Sequence, residues 1–204
     1  ISGAPATNNG NNTADFSAPE ARRERLELIA EALTKYHVDG IELDCDMGGG
    51  LLFEPENIDE GVGTLSSFVA VVRDMVDAEA QTRGEPVALG LRVLPTTAGS
   101  LKLGMDVEGM LSARLLDFIV PIFYTNEHMD PMLDVASLAQ LAHRHEAWCY
   151  PGVRPFQLKE QRMGWAGHAS TAMYRACAVN YLHQGADALY MMQLNWPSCA
   201  IDDE

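Results

Sequence analysis

Basic residues are scarce. The 204 residues hold 14 Lys and Arg against 29 Asp and Glu, a formal net charge of −15. Nucleic acid and anionic membrane surfaces select cationic partners, so neither is expected to bind here. The acidity reads as a solvated surface that favours solubility. Cysteine is thin as well: Cys45, Cys149, Cys177 and Cys199 form no Cys-x-x-Cys pair. That scatter argues against a structural zinc site or a disulfide framework. No apolar run reaches the roughly 18–20 residues needed to span a bilayer. The sequence starts at Ile1 without a basic n-region and apolar h-region, and reads as a mature product or a fragment. A phosphate loop is missing too. Gly48-Gly49-Gly50 lacks Gly-x-Gly-x-x-Gly spacing, a Walker lysine and an immediate helix, so it is expected to be a turn.

What is present is ordinary globular material, 47% hydrophobic and 21% charged, enough for one sizeable core. Residues 1–16, rich in Asn, Gly, Ala and Thr, read as a loop or frayed start. Residues 17–204 read as one domain. Ser17-Ala-Pro-Glu20 has a capping-box pattern ahead of Leu26, Ile29, Ala30 and Leu33, which share one helical face. Strand 40–44 follows, then a helix over 64–82 with Leu65, Phe68, Val69 and Val72 on one stripe. After it come a strand at 87–93, a short helix near 106–114 and a strand at 117–123. Asp130-Pro131 is expected to start a helix to 145, followed by strand 147–153, a helix over 170–184 and strand 188–194.

Helix and strand therefore alternate five times, and no hairpin turn is read joining these strands. Alternation of this kind predicts a parallel sheet covered by helices through right-handed crossovers. An open doubly wound sheet and part of a TIM (β/α)8 barrel both fit. Polar side chains near the strand ends favour the barrel: Asp44 and Asp46, Arg92, Tyr124 with Asn126, Tyr150 then Arg154, and Gln193 with Asn195. In such barrels the C-terminal strand ends form the active-site face. Five units do not close eight strands, so about three N-terminal strands are expected to lie outside this sequence. Without them a strand edge would stand open.

The densest chemistry lies in Val38-Asp-Gly-Ile-Glu-Leu-Asp-Cys-Asp46. Strand side chains alternate, so Glu42, Asp44 and Asp46 share one face and Ile41, Leu43 and Cys45 the other. Asp44 sits where the strand gives way to its loop. Glu42 lies about 6–7 Å deeper along the strand, where a carboxylate needs a partner, and Arg92 on the neighbouring strand is the expected one. Asp46 falls in a glycine-rich loop. Asp44 with Asp46 or Glu42 would offer oxygen ligands to Mg²⁺ or Ca²⁺, but no metal-binding motif accompanies them and no cofactor is expected. Methionines such as Met191 and Met192 read as core filler.

The signposts Tyr36-His-Val-Asp-Gly-Ile-Glu-Leu-Asp44, Leu91-Arg-Val-Leu-Pro95, Gly104-Met-Asp-Val-Glu108, Leu116-Asp-Phe-Ile-Val-Pro121, Tyr150-Pro-Gly-Val-Arg154 and Gly185-Ala-Asp-Ala-Leu-Tyr190 occur in this order. With them the chain, over about residues 15–196, resembles the glycosyl-hydrolase-like, family-10-like (β/α)8 proteins of bacteria. The resemblance implies that the five strands are the last five of eight and that the partner is a carbohydrate, small or polymeric. It implies hydrolysis of glycosidic bonds with Asp44 as general acid or base, oriented by Glu42 and Arg92. Tyr124, Tyr150, Tyr190 and Trp196 would stack on sugar rings. Asn126, Gln193 and Asn195 would bond hydroxyls, and Arg154 would hold an anionic group. The second carboxylate departs from the retaining pattern. Trp148-Cys-Tyr-Pro-Gly-Val153, the seventh strand on this count, carries none, which leaves Glu127 and Asp46 as candidates. A non-catalytic or inactive carbohydrate-binding barrel, or a metal-assisted lyase or isomerase, remain the alternatives.

Overall fold

The computed structural model describes residues 6–8, 11–13, 15–45, 52–122, 129–154 and 169–192. Two short strands, β1 (Ala6–Asn8) and β2 (Asn11–Thr13), pair antiparallel where a loop was expected. Asn8 pairs with Asn11, so the two residues between them are Asn9-Gly10, a dipeptide suited to a two-residue hairpin. Composition hid that signal.

The main sheet is parallel. β3 (Gly40–Leu43) pairs with β4 (Ala88–Val93), β4 with β5 (Phe118–Pro121), and β5 with β6 (Trp148–Cys149). β7 (Gly152–Val153) continues the line of β6 and pairs with β8 (Tyr190–Met191). The expected strand 147–153 is thus two pieces, broken at Tyr150-Pro151, because proline brings no N–H to a ladder. Each new strand adds on the same side as the last. A doubly wound sheet would reverse its order at a switch point, and none of the described strands does so.

The helices are α1 (Pro19–Lys35), α2 (Ile58–Arg83), α3 (Thr97–Leu101), α4 (Val107–Ser112), α5 (Val135–Arg144) and α6 (Thr171–His183). Their starts show what capping chemistry wins. The Ser17 capping box does not form: α1 begins with Pro19 in its first turn, a residue whose missing N–H costs nothing there. Ser17 instead donates its N–H to Asp15 Oδ1 at 2.9 Å. Asp130 likewise makes a local turn, accepting the Met132 N–H at 2.9 Å, and α5 is capped four residues later by Asp134, which accepts the Ser137 N–H at 3.1 Å. α2 begins six residues before the expected start at 64, with Asp59 and Glu60 in a first turn that favours negative charge. It closes at Gly84, whose φ of 71° suits glycine.

One face of the sheet packs under the helices. Leu89, Leu91, Val93, Ile119 and Cys149 are fully buried against Val69, Val72 and Val76 of α2 and Val135, Leu138 and Ala142 of α5. Each such aliphatic side chain contributes about 1.5–3 kcal/mol of transfer free energy. Two aspartates fasten the N-terminal ends of the strands. Asp117 Oδ2 accepts the Leu89 N–H at 2.7 Å and pairs with Arg73 of α2 at 2.6 Å. Asp187 Oδ2 accepts the Cys149 N–H at 2.8 Å and meets His143 Nε2 of α5 at 2.9 Å.

Candidate active site

The other face carries the candidate chemistry. Strand register decides which residues share it. Glu42 pairs with Gly90, Gly90 with Phe118, and Phe118 with Trp148. One row further toward the strand C-termini lie Asp44, Arg92, Val120 and Tyr150. Paired residues project to the same side, so Glu42, Asp44 and Arg92 meet at the C-terminal ends of β3 and β4. Arg92 donates from Nε at 3.0 Å and from Nη2 at 2.6 Å to Glu42 Oε1. From the opposite edge of its fork, Nη1 donates to Asp44. The side chains are 11% exposed for Arg92, 20% for Glu42 and 39% for Asp44, so Glu42 is the deeper acid and Asp44 the rim acid.

Tyr190 reaches the same cluster from β8. Arg92 Nη2 donates to its hydroxyl oxygen at 3.2 Å, and the guanidinium carbon lies 5.4 Å from its ring centroid. Arg92 Nη2 thus bridges the Tyr190 hydroxyl and Glu42. β8 is four strand spacings from β3, about 19 Å on a flat sheet, beyond the combined reach of a glutamate and a tyrosine. The sheet is therefore curled, and the cluster stands on its concave face.

Electrostatics follow from these contacts. Burial pulls the Arg92 guanidinium down, but Asp44 and then Glu42 outweigh it and lift its pKa above the ordinary arginine value. Burial, then the Glu42 charge, pushes the Tyr190 hydroxyl up, with Arg92 opposing. Cys45, on the opposite face from Asp44, has its thiol pushed to about 12, chiefly by burial and then by Asp44. A thiol held so firmly protonated is not a nucleophile.

The remaining sequence-predicted residues divide by position. Tyr150 is not in the Arg92 cluster. Its ring packs on Phe118 at 5.4 Å and on Trp148 at 6.3 Å, and burial, then Asp187, raises its hydroxyl. Arg154, just past β7, is only 4% exposed. Asp46, Tyr124, Asn126, Glu127, Gln193, Asn195 and Trp196 lie outside the described residues. Among the described residues, no group of three or more His, Cys, Asp or Glu side chains is placed to hold a metal ion. The sequence reading missed Phe118, whose ring covers Gly90 so closely that a Cβ there would sit 2.1 Å from it. A glycine in mid-strand, in Val87-Ala-Leu-Gly-Leu-Arg-Val93, was the available signal for that approach.

The class so defined is an α/β protein whose parallel strands follow one another in sequence order, with a carboxylate–guanidinium–tyrosine cluster at their C-terminal ends. No protein-family model and no curated protein matches the chain. Among solved structures it is similar to the glycoside hydrolase family 18 N-acetylglucosaminidase from Paenibacillus barengoltzii, with a TM-score of 0.58 and 13% identity over 91% of this chain and 74% of that one. It is also similar to the PgaB (BpsB) glycoside hydrolase domain from Bordetella bronchiseptica, with a TM-score of 0.56 and 12% identity over 98% of this chain and 65% of that one. At such identity the likeness is one of fold. It bears out a fold shared with TIM-barrel glycoside hydrolases, while the narrower family-10-like assignment finds no support in these structures.

Proposed function

We propose that this chain is part of a carbohydrate-active (β/α)8 barrel that hydrolyses glycosidic bonds at the C-terminal ends of its strands. The observation that carries the reading is the Arg92 fork, which draws Glu42 and Asp44 together on the concave face of a curled parallel sheet. The fold likeness to two glycoside hydrolases supports it. Asp44, at the rim, is the acid/base group. Glu42, one row deeper, is fixed by Arg92 and shares in orienting Asp44. The half-buried residues along β3, beside a largely buried β4, support a further strand on that edge, with the described strands as the last five of eight. Tyr124, Asn126, Tyr150, Arg154, Gln193, Asn195 and Trp196 are the proposed sugar-lining residues, and Glu127 or Asp46 the second carboxylate.

The test is Asp44→Asn in the full-length protein, assayed on an oligosaccharide panel that includes N-acetylglucosamine oligomers. Turnover is expected to fall by about 10²–10⁴-fold, the usual range for loss of an acid/base group. Turnover equal to that of the parent removes Asp44 from the role. A second reading, sugar binding without turnover, is favoured by the fact that one guanidinium already engages both acids. Its signature is a parent that binds a sugar without cleaving it and an Asp44→Asn variant that binds equally well.

A further inference from the structure

We infer that Tyr190 is a positioning residue, one that locks the plane of the Arg92 guanidinium and thereby holds Glu42 and Asp44 in register on the concave face. The inference rests on the glycoside-hydrolase reading for its consequence in turnover, but its structural content stands apart from that reading.

The geometry uses both ends of the tyrosine. Its hydroxyl accepts from Arg92 Nη2 at 3.2 Å, the same nitrogen that donates to Glu42. Its ring faces the guanidinium carbon at 5.4 Å, close enough for the negative face of the π-system to attract the cation. A guanidinium is a rigid planar fork. With Nε and Nη2 both on Glu42, the direction of Nη1 is set by the plane of the group, and Nη1 is the nitrogen that reaches Asp44. Rotation of that plane about the side-chain stem would keep a contact to Glu42 and swing Nη1 off Asp44. Tyr190 opposes the rotation from the face and from the edge. It does so from β8, across the curl of the sheet, so the same contact ties the curvature to the spacing of the two acids. Beside the sequence expectation for Tyr190, Arg92 holds one ring face and bonds the hydroxyl, so a sugar would have only the opposite face to stack on.

Tyr190→Phe, which keeps the ring and removes the hydroxyl, tests the inference in two arms. In the first, side-chain NMR follows the Arg92 Nε–H and guanidinium signals, assigned by their absence in Arg92→Lys. The parent is expected to show slow rotation and slow hydrogen exchange, and Tyr190→Phe is expected to speed both several-fold in protein that is still folded at the temperature of measurement. Arg92 signals identical in the two proteins overturn the proposal, whatever the protein catalyses. In the second, turnover on a cleaved oligosaccharide is expected to fall about 10–100-fold in kcat, the scale of a small misplacement of reacting groups, with KM within about twofold. A raised KM with unchanged kcat overturns positioning in favour of direct sugar contact. If Asp44→Asn leaves turnover intact, the glycosidase reading fails while the NMR arm still decides the role of Tyr190.

Discussion

Arginine meets aspartate at both ends of this sheet, and the two meetings are built differently. At the N-terminal end, Asp117 divides itself between Arg73 and the Leu89 N–H, while Arg73 also reaches the Val87 carbonyl at 3.4 Å. Asp187 repeats the device with His143 and the Cys149 N–H. There the charge serves the backbone, satisfying strand ends that would otherwise be left open. At the C-terminal end Arg92 directs all its described hydrogen bonds to side chains: Glu42, Asp44 and Tyr190. Nothing in the ladder depends on that cluster. Polar groups held by one another rather than by the main chain are the ones free to exchange a partner for a ligand, and active sites concentrate such groups.

The comparison makes predictions of decreasing size. The largest contrast is functional: Asp44→Asn is expected to abolish most turnover with little change in thermal midpoint, whereas Asp117→Ala should do the reverse. Removing the Asp117 carboxylate strands the buried Leu89 N–H and leaves Arg73 with Asp77 and the Val87 carbonyl alone, a loss of about 2 kcal/mol once solvent screening of the half-exposed carboxylate is allowed for. Urea denaturation measures it, and turnover per folded molecule should stay within about twofold of the parent if the N-terminal end is purely structural.

A smaller effect separates the ends by pH. The Tyr190 hydroxyl is raised above the ordinary tyrosine value by burial and by Glu42, so the unfolded chain loses this proton first as pH rises. The stability it contributes is complete below about pH 10 and is lost as pH climbs through the higher folded value. Tyr190→Phe should flatten that part of the alkaline loss in urea midpoints taken from pH 8 upward, and an unchanged alkaline slope would contradict it. The smallest effect belongs to His143→Gln. That pair is half-exposed on the histidine side, and its loss should cost about 0.5 kcal/mol and shrink further in high salt.

How much of this was legible in the sequence depended on how far apart the partners lie. Alternating and helical periodicity placed β3, β4, β5 and α2, because those patterns reflect one buried face per element. Glu42 and Arg92 could be paired because they sit on adjacent strands, on the same face and one row apart. Tyr190 could not be assigned to them: it arrives from β8, and only the curl of the sheet, a property no local pattern records, brings it within reach. Helix starts failed for a more local reason. Ser17 and Asp130 are good caps in isolation, but an Asx turn and Pro19 competed for the same backbone groups and won.

The glycine beneath Phe118 has one more consequence. A one-residue slip of β5 along β4 would turn the apolar row Ile119 and Pro121 toward the concave side, and a two-residue slip would drive the Phe118 ring onto Ala88 or Arg92. Only Gly90 leaves the space the ring occupies. The Phe118–Gly90 contact is thus a keyway for strand alignment, and by fixing the register of β4 on β5 it sets the level along the sheet at which Arg92 stands, beside Val120.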